Sequence, residues 1–91
     1  MDKEILYKAI EKWGTKTQIN KIQEEALELS LVLNQMNCPT KDPIEMEEKL
    51  YDELADVKIM MAQAEILFDS ERINERVEFK LNKLKNKYFN D

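Results

Sequence analysis

Ile22-Gln23-Glu24-Glu25-Ala26-Leu27-Glu28-Leu29 and Leu50-Tyr51-Asp52-Glu53-Leu54-Ala55-Asp56-Val57 are two copies of one arrangement. Each sets two carboxylates three residues apart inside an apolar helical repeat. At about 100° per residue, with Ile22 and Leu50 as the zero directions, Glu25 and Glu53 both project at about 300°. Glu28 and Asp56 both project at about 240°. Leu29, Val32, Leu33 and Met36 surround that sector on the first helix, and Leu54, Val57, Met60, Met61 and Ala64 surround it on the second. Acids meant for solvent would sit on the opposite side. These four are aimed at the seam where two helices meet.

Working outward, the spacing predicts four helices. The first covers roughly residues 2–13, with Ile5, Leu6, Ala9, Ile10 and Trp13 on one face and Gly14 as a stop. A second, capped by Thr15 or Thr17, runs to about Met36. Asn37 to Lys41 reads as a loop, and Asp42-Pro43-Ile44-Glu45 is a strong start signal for a third helix reaching about Phe68. Asp69-Ser70 interrupts the pattern, and a fourth helix from about Glu71 carries Ile73, Val77, Leu81, Leu84 and Tyr88. The short loop makes the middle pair an antiparallel hairpin. At 1.5 Å per residue, the Glu25/Glu28 pair stands roughly 14 Å above the loop and the Glu53/Asp56 pair roughly 17 Å. The two pairs share a level as well as a face.

Further apolar rows remain: Ala55, Ile59, Ala62 and Ile66 on the third helix, Leu27 and Leu31 on the second. A helix apolar nearly all round has to be covered nearly all round. Four short helices cannot do this within one chain, so the expected assembly is a homodimer or a homotetramer.

Composition sets the outer limits. Ninety-one residues make a single all-α domain over 1–91, a four-helix bundle-like unit. Fourteen basic against nineteen acidic residues give a net charge of −5, a poor balance for binding nucleic acid. The first twenty residues carry charges throughout, and no stretch approaches membrane-spanning length. With Cys38 as the one cysteine, a cytoplasmic location is expected and no membrane partner. The absence of histidine removes His-based triads and ordinary zinc sites. Any chemistry here runs on carboxylates, lysines and oxygen-loving metals.

Two carboxylates about 5 Å apart in an effective dielectric near 20 repel by on the order of 3 kcal/mol. Four of them converging on one seam therefore call for lysines, protons or a hard cation. Oxygen ligands without imidazole or thiolate select Mg²⁺, with Mn²⁺ as a substitute. An isolated Glu-x-x-Glu pair is ordinarily a solvated face, the reading that suits Glu45, Glu47 and Glu48. Agreement in both angle and height sets the two pairs apart. On the fourth helix Arg76, Lys80, Lys83 and Lys87 form a basic stripe. It reads either as favourable charge near a helix C-terminus or, for Lys80 and Lys83, as a grip on phosphate oxygens. Trp13 is a candidate for stacking on a nucleobase, against the plainer reading of core or interface. Glu24 and Asp52 precede the inner acids and point further outward.

Glu24-Glu25-x-x-Glu28, twenty-four intervening residues, then Glu53-x-x-Asp56 resembles the signature of the all-alpha nucleoside triphosphate pyrophosphohydrolases, the MazG-like superfamily. Glu53-Leu54-Ala55-Asp56-Val57 is also similar to that family's third-helix motif. The likeness covers roughly residues 10–85. It implies a helical, oligomeric, magnesium-dependent enzyme that cleaves a nucleoside triphosphate between the α and β phosphates, releasing the monophosphate and pyrophosphate. By position it implies Glu25, Glu28, Glu53 and Asp56 as metal ligands, and Glu24 or Glu28 as acceptor of the water's proton. Lys80 and Lys83 stand where the family places basic residues toward the phosphates, although an arginine is common there. The rival expectation is a helical oligomerisation module, or a protein that binds nucleotides without cleaving them.

Overall fold

The computed structural model describes residues 1–89, and every regular element among them is an α-helix: α1 Lys3–Trp13, α2 Thr15–Gln35, α3 Pro43–Leu67 and α4 Ser70–Tyr88. Three of the four starts carry an aspartate cap. Asp2 Oδ1 accepts from the Glu4 N–H, Asp42 Oδ1 from Ile44, and Asp69 Oδ1 from Glu71 and Arg72, at 3.0–3.3 Å. Pro43 occupies the first turn of α3, where its missing N–H costs nothing.

The start of α2 differs from the expected Thr cap. Thr15 is already helical, Thr17 lies a turn inside, and the capping position is Gly14, with no side-chain hydrogen bond. Gly14 joins the two helices by backbone alone: its N–H donates to the Ile10 carbonyl at 2.7 Å, and its own carbonyl accepts from Gln18 at 3.2 Å. Its backbone angles, φ 85° and ψ 160°, lie in a region that only glycine occupies without strain. One residue thus ends α1 and starts α2.

The α2–α3 hairpin is the body of the molecule, and α1 lies against both of its helices. The hairpin's seam follows a seven-residue rhythm. On α2 the buried residues are Gln18, Glu25 and Val32. On α3 Met46 is buried, Glu53 and Met60 are half-buried one and two heptads on, and buried Gln63 lies one heptad beyond Asp56. Seven residues are close to two turns, so each row stays on one face over the length of the contact. Aliphatic residues fill the loop end of the seam, with Val32 and Met46. Toward the far end Gln18 and Gln63 make the contact more polar, beside the half-buried Met60.

The buried apolar core of the protomer is small: Leu6, Val32 and Met46. Gln63 is its most enclosed side chain, 1% exposed, and its Nε2 donates to the Leu6 carbonyl at 3.5 Å, linking α3 to α1. α4 leaves the hairpin after its first turn. No α4 residue approaches α1 or α2, only Ser70 and Ile73 are partly covered, and Val77, Leu81, Leu84 and Tyr88 are exposed. The radius of gyration is accordingly 16.6 Å, against about 12 Å for a compact chain of this length. Leu27 and Leu31 on α2 and Ile59 on α3 are likewise exposed.

Gly14→Ala is expected to destabilise the protein by about 1–3 kcal/mol, because an added methyl group meets open space while the backbone angles become strained. Chemical denaturation checks this. A variant as stable as the parent would show that the α1–α2 junction relaxes freely.

Candidate metal centre

Midway along the hairpin the two acidic motifs face one another. Glu25, Glu53 and Asp56 each offer a carboxylate oxygen to one cluster, all lying within 4.8 Å of one another. Glu25 comes from α2; Glu53 and Asp56 come from successive turns of α3. Burial is graded across them. Glu25 is 7% exposed, Glu53 is half-buried and Asp56 is exposed, so the cluster opens to solvent on the Asp56 side.

The hydrogen bonding is incomplete. Glu25 Oε1 is 3.3 Å from the Lys21 ammonium, but Glu25 Oε2 is buried without a partner, and so is Glu53 Oε2. Buried carboxylate oxygens are normally paired, since leaving one unpaired forfeits its hydration with no return. Burial holds the Glu53 carboxyl above the usual carboxylate range, and the negative charges of Glu28, Glu25, Asp56 and Asp52 push it the same way. The donor set is entirely hard oxygen, with two lone-pair-bearing atoms unused and one open side. It fits a small divalent cation of the Mg²⁺ type.

The other residues read from the sequence lie around this cluster or apart from it. Glu28 stands outside the three-acid group and is exposed, yet its charge reaches Glu53. Glu24 is exposed and pairs with Lys21 at 3.7 Å. Asp52 is exposed. Lys80 and Lys83 are on the outlying part of α4, exposed, and form no ion pair with the cluster. Trp13 is 54% exposed and lines a cavity of about 490 Å³ between α1, α2 and α3.

Three residues of the site carry no motif signal: Lys21, Gln18 and Gln63. Among the described residues, Lys21 is the only base in ion-pair contact with these acids, and the carboxylates Glu25, Glu24 and Glu28 keep its ammonium protonated to higher pH than usual. Its position four residues before Glu25 was the available cue. Gln18 and Gln63 sit one heptad from Glu25 and Asp56 and prolong the polar rows. No family model, curated protein or solved structure matches this chain, so its chemistry has to be read from these residues alone.

A carboxyl whose affinity for protons is higher in the folded chain than in the unfolded one weakens folding at neutral pH. The loss shrinks as pH falls toward the raised value and vanishes below the unfolded carboxyl's range. Glu53→Gln is therefore expected to stabilise the ion-free protein at pH 7 and to flatten its stability profile across the weakly acidic range. Melting curves from pH 4 to 7.5 in chelator check this; a destabilised variant with the parent's pH profile would contradict it.

Proposed function

We propose that this protein is a magnesium-dependent nucleoside triphosphate pyrophosphohydrolase of the MazG-like kind. The observation that carries the reading is the convergence of Glu25, Glu53 and Asp56 with two buried, unpartnered carboxylate oxygens. A surface of solvated acids would not leave them so. The resemblance of Glu24-Glu25-x-x-Glu28 and Glu53-x-x-Asp56 to that family's signature supports the same conclusion.

Glu25, Glu53 and Asp56 would hold the cation, with Glu28 at the edge. A divalent ion bound there supplies Lewis acidity toward phosphate oxygens and a more acidic water. Glu28 suits the role of proton acceptor better than Glu24. It is exposed, it lies outside the three-acid group, and its charge already acts on Glu53. Glu24 is tied to Lys21. In the reaction a water oxygen bonds to the α-phosphorus while the bond to the α–β bridging oxygen breaks. The water's proton passes to the carboxylate, and pyrophosphate leaves with the bridging oxygen.

A homo-oligomer belongs to this reading. The protomer exposes 7681 Å², whereas a compact chain of 10.8 kDa exposes about 5,500 Å². The excess, about 2,000 Å², is of the size that permanent homodimers cover. The open row of Val77, Leu81 and Leu84 lies on the same helix as Lys80 and Lys83. Those lysines can serve phosphates in an assembly that lays α4 across a hairpin. In solution the mass is expected to be a multiple of 10.8 kDa, and Leu81→Glu with Leu84→Glu should lower it toward one chain. Sedimentation equilibrium reads this; a monomeric parent protein would rule the assembly out.

The deciding assay is pyrophosphate release from a panel of nucleoside triphosphates with Mg²⁺ or Mn²⁺. Glu53→Gln is expected to cut turnover on the order of a hundredfold or more while keeping the helical circular dichroism. Ions at a hundred times their dissociation constant should stabilise the parent protein by about 2.7 kcal/mol, and the variant by less. A fully active, equally ion-responsive Glu53→Gln protein would refute the proposal.

A further inference from the structure

The helices of this protomer are held to one another almost entirely by contact that has no direction. Among the described residues every ion pair and every hydrogen bond but one lies within a helix, its caps or the loop beside it. The exception runs from Gln63 Nε2 on α3 to the Leu6 carbonyl on α1, at 3.5 Å. Gln63 is also the most enclosed side chain of the protomer, and its Oε1 is buried without a partner. An aliphatic side chain of similar size would bury as much surface and orphan no acceptor, so this glutamine costs the fold stability. Such a choice calls for a compensating use.

Apolar packing tolerates axial displacement, because burial carries no preferred direction. A buried amide does not, since it keeps its bond in one alignment only. A lone buried polar side chain can thus fix the register of paired helices at a cost in stability. Gln63 can do this for the hairpin by way of α1. Gly14 alone separates α1 from α2, with its N–H bonded to Ile10 and its carbonyl to Gln18. A tie from α3 to α1 therefore holds the height of α3 along α2. Gln63 stands one heptad beyond Asp56, so any slip of α3 that broke this tie would carry Glu53 and Asp56 off the level of Glu25. A slip of one turn is about 5.4 Å, more than the 4.8 Å within which the three carboxylate oxygens lie.

We propose that Gln63 is a positioning residue. Through its bond to the Leu6 carbonyl it sets the axial register of α3 and keeps Glu53 and Asp56 opposite Glu25. The chain gives up stability at Gln63 and gains alignment at the acids. What that alignment serves rests on the metal-centre reading; the register itself does not.

The test reads register, stability and ion binding separately. Spin labels on Lys16→Cys and Lys49→Cys, in a chain carrying Cys38→Ser, stand near opposite ends of the hairpin and report axial slip as a change in distance. Dilution with unlabelled protein restricts the measurement to one chain. Gln63→Met, which keeps the bulk and loses the donor, should melt at or above the temperature of the parent protein. Its label distance should shift or broaden by about one turn, 5 Å, and its Mn²⁺ affinity by calorimetry should fall at least tenfold. Met46→Ala, a cavity at the loop end, should lower the melting temperature and leave label distance and Mn²⁺ affinity as in the parent. A Gln63→Met protein with the parent's label distance would overturn the proposal, whatever its stability. A shifted distance with unchanged Mn²⁺ affinity would overturn the service of the register to the acids. A parent protein that binds no Mn²⁺ would remove the metal centre, and the label distance would still decide the role of Gln63.

Discussion

The whole arrangement depends on carboxylates placed in the contact between two packed helices. Glu25 and Glu53 occupy heptad positions that a simple hairpin would give to leucine. That choice withdraws charge from water at the centre of a small domain and leaves two oxygens without partners. In a chain whose stability is a small difference between large terms, such an arrangement persists only where it serves a purpose. The compensation visible in the protomer is one lysine on one of the four oxygens of Glu25 and Glu53. Glu25 Oε2 and Glu53 Oε2 stay without a partner, and the raised proton affinity of Glu53 expresses the same shortage of positive charge in another form.

The architecture around the seam keeps those acids level with one another. Val32 and Met46 close the loop end of the hairpin with apolar contact. At the other end Gln63 reaches the Leu6 carbonyl, and Gly14 folds α1 back toward the hairpin without intervening residues. The acid cluster and the cavity therefore belong to one structure and meet at Lys21. The thin apolar core and the free α4 belong to the same economy. A protomer that devotes its seam to polar groups has less burial with which to stabilise itself, and Val77, Leu81 and Leu84 of α4 stay exposed.

Much of this is written in residue spacing. The three-residue interval within each acidic pair, the Asp42-Pro43 start and the length of the intervening loop determine that two helices pair antiparallel with Glu25 opposite Glu53 and Asp56. Periodicity is a local property, and helix geometry converts it directly into direction and height. The helix boundaries follow for the same reason, because caps and breakers act within a turn. The likeness of the acidic pattern to a known enzyme signature is equally a matter of spacing.

Only the tertiary structure decided which members of the pattern converge. Glu28 shares the angle of Asp56 but not its place in the three-acid group, since side-chain reach and helix separation differ by ångströms that an angular wheel does not resolve. Gln18 and Gln63 have neutral side chains that look equally at home on a surface, and become distinctive only once seen buried. Lys80 and Lys83 share a basic stripe on the fourth helix, yet where that stripe faces depends on what packs against the apolar row of α4, a long-range matter that local pattern cannot settle. Lys21 stands between a cluster and a cavity, and a cavity exists only where three separate helices meet.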